Sequence, residues 1–223
     1  MQDEAAKAGV RIVTGDTKVV ERGKGDGVFV TTAGVGVIPP DRDIGAHRIR
    51  PGDVVIVNGP LGNHGAAILA ARGDLSLSVT VPSDCAGLGH LMTAALAAAP
   101  SLSAARDATR GGVASALNEM AEAAGVGVVI EEEALPLHPE VRGLCEILGL
   151  DPLYLANEGT LVAFVPEAEA EAALAAMRAL PEGAGALIIG RAEAANPGRV
   201  AMCTLFGGMR IVEQVPGPGG VVL

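Results

Sequence analysis

The sequence predicts a mixed α/β protein of the α+β kind, built in two parts. Three observations predict it. From residue 54 onward, short β-branched runs alternate with helical patterns, and the chain closes on strands without helices between them. Before residue 40 it offers strand patterns and almost no helix. Between the two lies "PPDRDIGAHRIRPGD" (39–53), a polar, proline-rich connector where a domain boundary is expected.

In chain order, "VRIVTGDTKVV" (10–20) predicts two short strands broken at Gly15, and "GVFVTTAGVGVI" (27–38) predicts another. "DVVIVNGPLGNHGAAILAARGD" then predicts a buried strand over 54–57, a glycine turn, and a helix from about His64 to Arg72. Residues 76–84 are expected to be extended. Helices are expected over 86–99, ended by Pro100, and over 111–125, closed by Gly125. In the second of these, Val113, Leu117, Met120 and Ala124 share one face. A strand over 126–133 and a helix over 138–149 with proline near its start follow. Residues 151–159 predict an irregular polar segment, and 160–166 a strand. The helix expected over 167–180 is acid-rich at its start, with Arg178 near its end, as the helix dipole favours. Strands over 185–193 and 198–205 and a turn into a last strand complete the chain.

Composition narrows the function. Hydrophobic residues are 49% of the 223, yet Phe, Trp and Tyr together are only 2%, so the core must be aliphatic. A net charge of −10 and scattered arginines disfavour nucleic-acid binding, which needs a basic stripe with aromatic platforms. No apolar run of about 20 residues predicts a membrane span, and "MQDEAAKAG" has no signal-peptide pattern. Three widely spaced cysteines, Cys85, Cys145 and Cys203, suggest free thiols in a reducing, cytoplasmic setting.

Several clusters carry chemistry. "NGPLGNHG" (58–65) is neither a dinucleotide nor a P-loop fingerprint. It is either a tight turn or a set of backbone donors for an anion. In "GDTK" (15–18), Asp16 can hold Mg²⁺, Lys18 can meet a phosphate oxygen, and a solvated turn would show the same letters. In "RDATRGG" (106–112), Asp107 and Thr109 are expected to cap the next helix. The glycines there admit a second backbone or a ligand. Arg110 sits near a helix N-terminus, where a cation is disfavoured, so it calls for a partner: Asp107, another acid, or a ligand anion. Glu158, before a strand, is a turn residue, or a base or Mg²⁺ ligand if it faces a cleft.

The segments "AGVRIVTGDTKVVERG", "PGDVVIVNGPLGNHGAAILAAR", "RDATRGGVASALNEMAEAAGVGVVIEEEALP" and "CEILGLDPLYLANEGTLVAFVP" resemble the hydrogenase maturation family HypE. The resemblance runs from about residue 6 to about 214, and the family looks like a branch of the aminoimidazole ribonucleotide synthetase superfamily. It implies a two-domain α/β fold, with residues 1–45 the incomplete remnant of an ATP-binding domain and 46–223 a largely complete second domain. It implies an ATP- and Mg²⁺-dependent carbamoyl dehydratase that turns a cysteine S-carboxamide into a thiocyanate, the source of cyanide for nickel–iron hydrogenase. HypF would be the carbamoyl donor, a HypC–HypD complex the cyanide acceptor, and the family protein a homodimer.

Carried over motif by motif, Asp16, Thr17 and Lys18 would serve the nucleotide, with Asp16 on the metal. Asp107, Thr109, Arg110 and Gly111 would belong to a second-domain loop facing the cleft, with Asp107 and Arg110 taking part in the reaction. Thr109 and Gly111 would contact the cofactor. Glu158 would serve the dehydration. The family loop usually reads Asp-Pro-Thr-Arg-Gly-Gly, and Ala108 replaces its proline here. Family members also carry a long segment ahead of "GDTK", which here begins at Gly15, and end in Pro-Arg-Ile-Cys, where this chain ends "EQVPGPGGVVL". Impaired or absent catalysis is therefore expected, with non-catalytic partner binding as the alternative.

Overall fold

The structure is a computed structural model describing residues 1–25, 27–72 and 81–214. The chain divides into two compact units, Met1–Asp43 and Ile44–Leu223.

In the first unit Gln2–Lys7 forms a short helix, α1, with Lys7 Nζ 2.7 Å from Glu4 Oε1. The strands expected over 10–20 and 27–38 do not form; the described residues there are irregular. Their apolar side chains are exposed, Val13, Val28 and Val37 among them. β-Branching reports a preference for a packed, hydrogen-bonded ladder rather than for extended backbone itself. Among the described residues no strand of this chain supplies that ladder.

The second unit is a seven-stranded sheet in the order β2-β4-β1-β5-β3-β6-β7. Its strands are β1 (Asp53–Val57), β2 (Ala104–Asp107), β3 (Gly127–Glu131), β4 (Leu161–Pro166), β5 (Leu187–Glu193), β6 (Val200–Cys203) and β7 (Met209–Val212). Every neighbouring pair is antiparallel except β3 with β6. The helices are α2 (Asn63–Arg72), α3 (Gly89–Ala98), α4 (Gly112–Ala124), α5 (Pro139–Leu148) and α6 (Glu167–Arg178).

Alternation along the central strands separates two cores. Val55, Val57, Val162 and Phe164 pack with Val113, Leu117 and Met120 of α4 on one face. Val54, Ile56, Leu161, Ala163 and Val165 pack with Leu91 and Ala95 of α3 and Ala173, Leu174 and Met177 of α6 on the other. Both faces of β1 and β4 are thus buried, which explains why their sequences read as continuous apolar runs. A third cluster joins Ala66 of α2, Val141, Leu144 and Cys145 of α5, and Leu155.

Most expected elements of this unit form within a few residues of their expected bounds. Gly125 closes α4 in the left-handed region at φ 67°, and Pro139 opens α5. Residues 76–80 of the expected extended segment lie outside the described residues, and 81–84 are irregular. The edge strand β2 was not anticipated. "AARD" lacks β-branched residues, and pairing with β4 alone imposes the extended form.

Candidate functional site

Four loops meet at one end of β1, β2 and β4: 58–62, 83–86, 107–112 and 155–160. Two buried asparagines tie them together. Asn157 is fully buried. Its Oδ1 accepts from the Gly62 N–H at 2.8 Å, and its Nδ2 donates to the carbonyls of Ala108 at 2.9 Å and Leu155 at 3.1 Å. Asn58 Nδ2 donates to the Gly159 and Glu182 carbonyls, and its Oδ1 accepts from the Leu161 N–H at 2.7 Å. Such an amide fits where backbone groups of several loops would otherwise be buried unpaired.

A third tie runs through a carboxyl group. Asp84 accepts from the Glu158 and Gly159 N–H groups, the latter at 3.0 Å, and from Thr160 Oγ1 at 3.1 Å. The Ala86 N–H also donates to the Glu158 carbonyl. The Glu158 peptide is therefore clamped from both sides while its side chain stays exposed. Gly159 is required at the next position, because a Cβ there would collide with the Asp84 carbonyl oxygen.

The loop 107–112 is strapped to the same place. Ala108 N–H donates to the Thr160 carbonyl, and Asn157 N–H donates to the Ala108 carbonyl. Asp107 and Arg110 are exposed, and neither side chain has a hydrogen-bond or ion-pair partner among the described residues. The structural partner sought for Arg110 is thus not found. It is Arg106 that pairs, bridging β2 to Glu119 of α4.

The capping role expected of Asp107 and Thr109 is also overturned. The N-cap of α4 is Gly111, at φ 73°, with no side-chain cap. Two successive left-handed glycines turn the chain into the helix instead, at torsions L-residues disfavour. Gly112 is the critical one. A Cβ there would overlap the Leu153 carbonyl oxygen and stand 2.5 Å from that of Leu155. Gly112→Ala is accordingly expected to destabilise the fold by about 3 kcal/mol, combining backbone strain with overpacking. A melting curve should register a Tm loss of about 10 °C.

The glycine loop 58–65 resolves in favour of the tight turn. The Leu61 N–H donates to the Pro136 carbonyl, Gly62 to Asn157 Oδ1, and Gly65 to the Ala156 carbonyl. Those donors serve the protein. In the first unit, Asp16, Thr17 and Lys18 are exposed. The Thr17 N–H donates to Asp16 Oδ1 at 2.9 Å, and Lys18 has no partner among the described residues. Among the described residues no three His, Cys, Asp or Glu side chains gather to hold a metal. Mg²⁺ is commonly held by one or two carboxylates plus phosphate oxygens, and the lone Asp16 carboxylate does not by itself form a closed site.

The chain as a whole is similar to known proteins. The family described as AIR synthase related protein, C-terminal domain, matches residues 50–202. The carbamoyl dehydratase HypE of Rhodobacter capsulatus is 71% identical over 97% of this chain and 64% of its own length. A crystal structure of a HypE–HypF complex superposes with a TM-score of 0.90 at 40% identity, covering 96% of this chain and 70% of that one. The chain belongs to the AIR synthase related family, on its HypE branch. A HypE structure in complex with ATP also matches, at a TM-score of 0.84 and 39% identity, covering 96% of this chain and 66% of that one. The chain spans less than two thirds of the length of the Rhodobacter protein.

The HypE resemblance read from the motifs, and the α/β fold it implied, are thereby established. The residues that the sequence undervalued are the ties. Asp84 drew no reading from the sequence, and Asn58 appeared only as the first letter of a glycine loop. Their signal was faint: a short polar residue directly after or before an extended apolar run, where loops need acceptors.

Proposed function

We propose that the chain serves an ATP-dependent carbamoyl dehydratase of the HypE type, which converts a cysteine S-carboxamide and ATP into a thiocyanate, ADP and phosphate. The observation that carries this reading is the clamped Glu158 peptide beside the strapped 107–110 loop. Three uncommitted charged side chains stand on loops held by buried asparagines. The 71% identity to a carbamoyl dehydratase HypE supports it.

Bound ATP with Mg²⁺ supplies the activation, since a phosphorylated amide oxygen leaves far more readily than a free one. Lys18 would meet phosphate oxygens, Thr17 would add a hydroxyl donor, and Asp16 would hold the metal. In the second unit, the Glu158 carboxylate takes a proton from the amide nitrogen. The Arg110 guanidinium holds oxygens of the departing phosphate, a match of planar donors to an anion. Asp107 accepts from the remaining amide N–H and takes that second proton as the phosphate leaves, so that the nitrile nitrogen keeps no hydrogen. Thr109 and the Gly111 N–H complete the anion-facing loop.

HypF as carbamoyl donor is supported by the similarity to the HypE–HypF complex. A HypC–HypD acceptor, a homodimer and a cytoplasmic site of action complete the proposal. No described helix is long and apolar enough to cross a membrane.

The test supplies MgATP and an S-carbamoylated cysteine peptide and measures phosphate. Phosphate release that depends on the peptide is expected. Peptide-independent release, or none from a folded sample, would overturn the activity. Retained binding of HypF would then favour the partner-binding alternative.

A further inference from the structure

The loop that clamps Glu158 carries a second feature that the dehydration does not use. Cys85 lies between Asp84 and Ala86, the two residues that grip the Glu158 peptide. Its side chain is exposed, and it sits in a connected cluster with Ser83 and His64. Cys85 Sγ is 3.1 Å from Ser83 Oγ and 3.8 Å from His64 Nδ1, while Ser83 Oγ is 2.9 Å from His64 Nδ1. The Cys85 N–H donates to the same hydroxyl at 3.2 Å.

The directions of these bonds are chemically constrained. A hydroxyl has one proton to give. Given to Sγ, it leaves Ser83 Oγ to accept from the Cys85 N–H and from a protonated His64 Nδ1. The cluster is then a directed relay of donors ending on sulfur, the arrangement reached once His64 Nδ1, 3.8 Å from Sγ, holds the proton that the thiol has given up. That is the arrangement of an activated nucleophile: thiol, base, and a third group that orients the base.

The other two cysteines lack it. Cys145 is buried in the cluster between α2 and α5, and burial pushes its thiol up to about 11. Cys203 is half-buried on β6, and its hydrogen bond with the adjacent Glu131 carboxylate pushes its thiol up.

We infer that Cys85, with His64 and Ser83, is a nucleophilic thiol site that exchanges with small-molecule disulfides and thereby marks the Glu158 loop with a reversible modification. The Cys85 thiol gives its proton to His64, and the thiolate attacks one sulfur of the disulfide. The S–S bond of the reagent breaks, a mixed disulfide forms on Cys85, and the second half leaves as a thiolate that takes up the proton. No further oxidant is needed. The mixed disulfide stands one residue from Asp84 and Ala86, so its bulk bears on the clamp that sets Glu158.

The test is independent of dehydratase activity. The chain is treated with iodoacetamide, and separately with oxidised glutathione, and each cysteine is followed by peptide mass. Cys85 is expected to react at least about ten-fold faster than Cys145 or Cys203 with either reagent. His64→Gln, which keeps a hydrogen-bonding side chain but no base, is expected to slow Cys85 by about ten-fold and leave the other two unchanged. Ser83→Ala serves as a second variant, and melting curves confirm that both fold. Equal rates at the three thiols, or an unchanged Cys85 rate in folded His64→Gln and Ser83→Ala, would overturn the inference. Loss of carbamoyl-dependent phosphate release without these labelling changes would count against the proposed function alone.

Discussion

Glu158→Gln is expected to reduce carbamoyl-dependent phosphate release by at least about 100-fold, the lower range for loss of a positioned acid or base. The substitution keeps the side chain's shape and removes its ability to take a proton. It should leave the fold intact, because the Glu158 side chain is exposed and only its backbone is used by Asp84 and Ala86. A stability change within about 0.5 kcal/mol is expected, as for other surface sites. The two measurements together separate a chemical role from a structural one. Unchanged turnover in the variant would remove Glu158 from the reaction and return it to the role of a turn residue.

Asn157→Ala is expected to act in the opposite way, on the fold first. The side chain is fully buried and makes three hydrogen bonds, at 2.8, 2.9 and 3.1 Å, to three different loops or turns. Ala108 O retains the Asn157 backbone N–H as a donor, so it is not orphaned. The Gly62 N–H and the Leu155 carbonyl lose this partner. Each unsatisfied buried group costs about 1–3 kcal/mol, and the side-chain void adds to that. A total near ~4 kcal/mol is expected, a Tm loss of about 12 °C. Activity should fall with it even at temperatures where the protein is folded, because Gly62, Ala108 and Leu155 hold the loops around Glu158. A melting curve indistinguishable from wild type would show that the amide is not what fixes these loops.

Much of this architecture was legible in the letters. The apolar runs 54–57 and 160–166, the glycine after Ala124 and the proline at 139 each report a local cause, and each element formed where the cause is local. The failures share a different cause. Residues 10–20 and 27–38 carry strand composition without a ladder partner among the described residues. Residues 104–107 carry no strand composition yet pair with β4. In both cases the deciding interaction is distant in sequence, and no local pattern reports it.

The site divides in the same manner. Asp107, Arg110 and Glu158 stood out because charged residues beside glycines at element ends are conspicuous. Asp84 and Asn58 did not, since a single acid or amide near a turn is common. What distinguishes them is where their partners lie. Asp84 holds residues 158–160, and Asn58 holds residues 159, 161 and 182. The expectation that Asp107 and Thr109 cap α4 failed because Gly111 and Gly112 take left-handed torsions. That leaves the Asp107 and Arg110 side chains without a hydrogen-bond or ion-pair partner among the described residues.

The most direct measurement is the mass of the S-carbamoylated cysteine peptide after incubation with the protein and MgATP. The account predicts a product lighter by one water, formed in step with ADP and phosphate, and lost together with them in Glu158→Gln. ADP formed while the peptide mass stays unchanged, from a folded sample, would contradict it and leave the chain as a nucleotide hydrolase or a binding partner.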